Sequence, residues 1–248
     1  MSTISETGHA NNVANFFQLQ SFLKGLGEVY NPSTNLIKLP ELETLGANAK
    51  ASISDVNKAF PPYNAAIAAR VVAFEPLSVL STRLLNAIKS TGTSGQVDDV
   101  TRSIVRKIQG KRASARIDPA IAKTSVTTGK PVTQVSSSQM GFDNRLDNFE
   151  KLIQQLSYTP EYKPNEIELQ TETLKTLYDD LLAKNTAAIN SEVVLNNARI
   201  ARNKILYQPN TGLLDVAFDT KAYIKSLFGA SSAENRQISG LTFTPYKK

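Results

Sequence analysis

Shifted against itself by 132 positions, the chain meets its own pattern again. Tyr30 and Pro32 fall on Tyr162 and Pro164, Leu42 and Leu45 on Leu174 and Leu177, and Ala66, Ala69 and Arg70 on Ala198, Ala201 and Arg202. Upstream the offset is 133, which sets Phe16 on Phe149, Leu19 on Leu152 and Leu23 on Leu156; downstream it is 136, setting Ile88 on Ile224. A repeat constrains a fold more than any local propensity, because one architecture must satisfy both copies. The expectation is two similar halves, 1–109 and 139–248, joined by a different segment at 110–138.

Each half carries helical periodicity. Phe16, Leu19, Phe22, Leu23 and Leu26 recur at intervals of three and four, with Asn11 or Asn12 as the expected cap and Gly25 as the stop. A long helix is expected from Pro40 to Phe74, since proline is tolerated in a first turn. Pro61 and Pro62 lie inside it and predict a kink or a break, because each removes a backbone donor. A third helix opens at Pro76 and closes at Thr91 and Gly92. The second half repeats the series: Phe149, Leu152 and Leu156, then a Gly- and Pro-free run over 166–207, then a helix from Leu213 to Phe228. In heptad register Leu174, Leu177, Leu181, Ala188, Leu195, Ala198 and Ile205 share one seam, interrupted by Lys184, Ser191 and Arg202. The tail through Leu241 and Phe243 has no helical period and is expected to run as a strand or arm.

The predicted class is therefore all-α: an elongated antiparallel helical bundle of about six helices, built by internal duplication with pseudo-twofold symmetry and an irregular basic central connection. Apolar residues make up 41% of the 248, enough for a core, and Trp and Cys are absent. The lack of Cys removes disulfides, thiolate metal sites and cysteine nucleophiles together. The polar N-terminal residues lack a signal-peptide pattern. No unbroken apolar run approaches membrane-spanning length, since Arg70, Glu75 and Pro76 interrupt the best window at 65–80. A cytoplasmic protein is expected, with membrane activity ranked below the other readings, although export without a leader is compatible with the same sequence.

Charge is concentrated in the connection. Between 102 and 130 stand eight cations, Arg102, Arg106, Lys107, Lys111, Arg112, Arg116, Lys123 and Lys130, against Asp118 alone, a net +7 where the whole chain carries +6. Such a run neutralises phosphates and would bind nucleic acid or another anionic polymer with strong salt dependence. No aromatic residue interleaves it to stack on a base. A solvated charged loop, or one docking on acidic protein surface, is the plainer reading. In the 126–135 region, Val126, Val132 and Val135 also fit a short hairpin about Gly129 and Lys130.

Catalytic chemistry finds little support. His9 is the only histidine and stands in the polar N-terminal segment, so neither a Ser-His-Asp arrangement nor a metal site built on several imidazoles is convincing. The pairs Asp98-Asp99 and Asp179-Asp180 are sequence neighbours that diverge on a helix, and Glu166, Glu168 and Glu172 lack the Glu-x-x-His pattern of di-iron bundles. Gly92 to Gly95 lacks the Lys-Ser/Thr of a phosphate loop and marks a helix stop. No cofactor or metal is expected. Arg70 and Arg202 stand out as a repeated pair on the long-helix seam; a buried charge there requires partners, and a packed stem with a head reaching water or a carbonyl is the expected arrangement. Tyr30 and Tyr162 are expected to anchor the two turns, and Asn15-Phe16 and Asn148-Phe149 to act alike. The functional expectation is a non-enzymatic structural or scaffold protein that self-associates or binds another protein through its long helices. Nucleic-acid binding through 102–130 stands second and membrane activity third.

Overall fold

A computed structural model describes residues 6–111 and 140–245, and among them every regular element is helical. The order is α1 (Glu6–Gly25), α2 (Leu39–Phe74), α3 (Leu77–Ser90), α4 (Gly95–Ile108), α5 (Phe142–Ser157), α6 (Thr171–Tyr207), α7 (Leu213–Phe228) and α8 (Ala233–Ser239). Short 3₁₀ turns at Gly27–Val29, Asn35–Ile37 and Ile167–Leu169 fill the links before α2 and α6. The hairpin expected around Gly129 and Lys130 lies outside the described residues.

Helix boundaries depart from expectation in four places, each with a local cause. α1 begins at Glu6 rather than at Asn11 or Asn12. Asn12 is buried and donates from Nδ2 to the Thr244 carbonyl (2.9 Å), so it is a mid-helix tether and no cap. α2 runs unbroken through Pro61 and Pro62. The carbonyls those prolines orphan belong to Asn57 and Lys58, both exposed, where loss of an intrahelical donor is tolerated because the group is not shut away from solvent. The run expected from 166 begins as a helix only at Thr171, after the 3₁₀ turn. Finally, Gly92 (φ +77°) does stop α3, but Ser94 restarts the chain as α4, its side chain accepting from the Val97 N–H. The tail at 241–245 has no regular structure and is tied to α1 by Asn12 and by Asn15, whose Nδ2 donates to the Thr242 carbonyl (2.6 Å).

Two compact units divide the chain, Met1–Asn64 with Ser191–Lys248, and Ala65–Asn190. Neither coincides with a sequence half, because α2 and α6 each run from one unit into the other. The first unit gathers α1, the start of α2, the end of α6, α7 and α8 around Phe16, Leu19, Leu23, Leu42 and Ile224, all fully buried. The second gathers the end of α2, α3, α4, α5 and the start of α6 around Phe74, Leu84, Ile88, Phe149 and Leu152, also fully buried. At 25 cal/mol per Å² such side chains each contribute about 2–3 kcal/mol on burial.

The turn ahead of each long helix is fastened the same way. Tyr30 Oη donates to the Ile37 carbonyl, and 132 positions on Tyr162 Oη donates to the Leu169 carbonyl (2.8 Å). Burial pushes both phenols up to about 12. Phe16 and Phe149 are both fully buried, but the preceding asparagines differ: Asn15 is half-buried and holds the tail, whereas Asn148 is buried and bonds the Asn144 carbonyl of its own helix.

Candidate interaction site

The basic stretch is described only at its start. Arg102 is engaged by Asp99 one turn back (2.5 Å). Arg106 and Lys107 occupy the last turn of α4, where cations complement the partial negative charge of a helix C-terminus. Lys111 is exposed beyond it. Arg112, Arg116, Lys123 and Lys130 lie outside the described residues. The end of α4 is docked by Gln109, whose Nε2 donates to the Ser78 carbonyl (3.0 Å) and Thr82 Oγ1 (2.7 Å) on α3. Gly110, at φ +66°, lies so close to Met140 that a Cβ there would sit 2.2 Å from its sulfur. The two ends of the 111–139 connection therefore meet at one point.

Arg70 and Arg202 are both held by partners the sequence does not reveal. In the first unit Arg202 is 3% exposed and donates to the Glu6 carboxylate and, from Nε (3.1 Å) and an Nη (2.9 Å), to Asn203 Oδ1. Burial lowers its pKa and the Glu6 charge opposes that. His9 lies alongside, 1% exposed, with Nδ1 2.6 Å from Tyr207 Oη. Burial first, then the Arg202 charge, push the imidazole below its ordinary value, against a smaller upward pull from Glu6.

In the second unit Arg70 donates to Asn185 Oδ1 (3.1 Å), and its guanidinium carbon stands 4.1 Å from the centre of the Phe142 ring. Asn185 in turn donates to Asp143 Oδ1 (2.6 Å). Arg145 donates to the Phe74 carbonyl (2.8 Å), and burial lowers its pKa. Each arginine thus meets the first turns of a shorter helix, α1 or α5. One pairs with a carboxylate; the other stacks on an aromatic face and bonds an amide. The Arg202 head is spent on protein groups, whereas Arg70 bonds through one Nη and keeps a buried Nε without a hydrogen-bond partner among the described residues. Glu6, Phe142, Asp143 and Asn185 carry no sequence signal for this role, because only the fold brings them to the arginines.

Most of the carboxylates considered for chemistry are engaged, each with a different partner. Thr93 Oγ1 donates to Asp98 (2.8 Å), Glu168 pairs with Arg83 (2.5 Å), Glu172 with Lys175 (2.9 Å) and Asp180 with Lys184 (3.7 Å). Among the described residues no cluster of three or more His, Asp or Glu is placed to hold a metal ion.

Unpartnered apolar surface lies on the long helices. On α6 Leu182, Ile189, Val193, Val194 and Ile200 are exposed, Ile200 to 66%, and on α2 Phe60, Val71 and Val72 are exposed. Such residues singly are ordinary on a protein surface. One stretch within Leu39–Ser90 is also long and apolar enough by composition to cross a membrane, with only 17% of it buried. This corrects the expectation that nothing approaches that length. Averaged over a window, the Ala- and Val-rich run outweighs Arg70 and Glu75, although the described chain ends α2 at Phe74 and restarts at Leu77. No protein-family model, no curated protein and no solved structure matches the chain.

Proposed function

We propose that this chain is a non-enzymatic structural or assembly protein, a duplicated helical repeat that self-associates through its long helices. The observation that carries the reading is the series of exposed apolar side chains on α6, from Leu182 to Ile200. Large aliphatic groups held in water on a rigid helix are stabilised by association with a matching face. The duplication is supported by the tyrosine fastening that recurs 132 positions apart and by the fully buried Phe16 and Phe149 at equivalent places. The non-catalytic reading is supported by arginines and carboxylates already committed to partners in the protein. Light scattering after size exclusion tests it: mass is expected to rise with loading concentration, and a monodisperse monomer at the highest concentration reached sinks the reading.

A second reading, contact with a lipid surface, is supported by the apolar and mostly unburied stretch within Leu39–Ser90. It predicts co-sedimentation with phosphatidylcholine vesicles and leakage of their contents. Protein that stays in the supernatant with both neutral and anionic vesicles removes it.

A further inference from the structure

Residues 241–245 have no regular structure, yet they are held residue by residue within the first unit. Asn12 of α1 meets the main chain of Thr244 with both ends of its amide: Nδ2 donates to the carbonyl (2.9 Å) and Oδ1 accepts from the N–H (2.8 Å). One turn on, Asn15 Nδ2 donates to the Thr242 carbonyl (2.6 Å). From α7, Lys221 Nζ donates to the Leu241 carbonyl (2.9 Å). Phe243, between the two tethered threonines, is 7% exposed and lies edge-on to Phe218 of α7, their ring centres 6.1 Å apart. Thr242 and Thr244 themselves are exposed.

Side chains on helices thus bond the backbone at every second residue, while the residue between them is buried. Extended peptides are recognised by the same division: main-chain bonds supply affinity, and pockets for alternate side chains supply specificity. Main-chain bonds do not read sequence, so this face suits an extended segment with an aromatic at the place of Phe243. The face also favours being filled. Asn12 is a mid-helix amide only 1% exposed; when the tail leaves, its Oδ1 loses the peptide N–H it accepts, a loss that another peptide N–H makes good.

We propose that the α1–α7 face is a recognition site for an extended peptide with an aromatic anchor, filled in each chain by its own 241–245 segment and open to the same segment of a second copy. The inference rests on the self-association reading and names the segment exchanged. A second copy is the occupant because it carries a sequence that fits this face with its register fixed: Asn12 takes Thr244, Asn15 takes Thr242, and Phe243 enters beside Phe218. Exchange remakes each bond it breaks, and reciprocal exchange about a twofold axis closes a dimer. The segment leaves α8 at Gly240, and five extended residues span about 16 Å, so exchange brings the two α8 ends within that reach. Within one chain the tail competes at an effective concentration on the order of mM. Exchange therefore rises steeply with protein concentration.

A chain ending at Gly240 and a fluorescein-labelled peptide of residues 240–248 separate the face from its occupant. With helicity unchanged, the shortened chain is expected to bind the peptide saturably, and the intact chain to bind it at least about tenfold more weakly because its own tail competes. Phe243→Ala in the peptide is expected to weaken binding about tenfold or more. Should shortening cost helicity, the full-length Phe243→Ala variant, whose own tail lacks its anchor, serves as the acceptor with the same expectation. For the second copy, the acceptor is mixed with a full-length Asn12→Ala, Asn15→Ala variant, whose tail is loosened from its own face. A one-to-one complex is expected by sedimentation velocity, and adding Phe243→Ala to the tail donor abolishes it. A helical acceptor that ignores the peptide overturns the recognition site. Peptide binding without the one-to-one complex, or a mass that rises with concentration identically once residues 241–248 are removed, overturns exchange between copies and leaves self-association on another surface standing. A parent chain that is monomeric at every concentration overturns exchange and self-association together.

Discussion

Arg202 offers a quantitative test of what the paired arginines do. Its side chain is 4% exposed, whereas the Glu6 carboxylate opposite is 49% exposed. Removing one partner of a fully buried ion pair costs 3–5 kcal/mol and of a surface pair about 0–1. With one member buried and the other half in water, Glu6→Ala falls between, at about 2 kcal/mol. That leaves the guanidinium with Asn203 as its acceptor and also removes the 3.5 Å pairing of Glu6 with Arg199. Arg202→Met acts differently: it removes the desolvated charge itself and leaves an unbranched side chain on a seam beside fully buried Leu206, at a cost of about 0–1 kcal/mol. The double variant is expected to match Arg202→Met alone, a coupling of about 2 kcal/mol. Urea unfolding followed by far-UV circular dichroism measures all four proteins, and a loss of 2 kcal/mol corresponds to a fall in Tm of roughly 4–8 °C. If Arg202→Met costs more than Glu6→Ala, or the two effects add, the arginine is there for packing and the pair reasoning fails.

Stability near neutral pH should depend on His9. Its folded pKa lies below the unfolded value near 6.5, so the unfolded chain takes up the proton first, and the contribution is full above about pH 6.5 and declines as pH falls toward the folded pKa. His9→Gln is expected to flatten unfolding free energy between pH 7 and pH 5, and an unchanged pH profile counts against the assignment. Tyr162→Phe leaves the Leu169 carbonyl without its donor and should cost about 1–2 kcal/mol. Tyr30→Phe should cost at least as much, because Tyr30 Oη bonds the Ile37 carbonyl and its ring packs edge-on against Tyr223; neutral melts for both would show that the turns are fastened by packing alone. On α5, Phe149→Ala removes a fully buried ring and is expected to cost about 3–5 kcal/mol. Tyr158→Ala just beyond the helix, where the ring is 84% exposed, should cost under ~0.5 kcal/mol by the same assay, and similar losses at the two sites would contradict the burial pattern.

The helical class and the long-helix seams were legible because large apolar residues mark one face at a fixed period. Leu174, Leu181 and Leu195 needed no tertiary knowledge. α4 was missed because two glycines frame its start, and its apolar face is broken by buried Thr101 and flanked by charge. The start of α1 was missed because its buried face there consists of His9 and Asn12, polar residues that periodicity does not register. Periodicity also reports faces and not partners. Nothing in the sequence indicates that Arg70 stacks on Phe142 or that Arg202 meets Glu6, since these encounters depend on which segments share a unit.

The path of the two long helices sets an order of events at the ribosome. The second unit is one continuous stretch, Ala65–Asn190, whereas the first is assembled from the beginning and end of the chain. Phe16, Leu19 and Leu23 are synthesised before Leu213 and Ile224 and cannot bury against them until those residues have been made. During that interval the middle of the chain folds while its N-terminal helix waits with its apolar face bare. Loss of the segment after residue 190 would strand that helix permanently, so an early stop codon damages the start of the protein as much as its end.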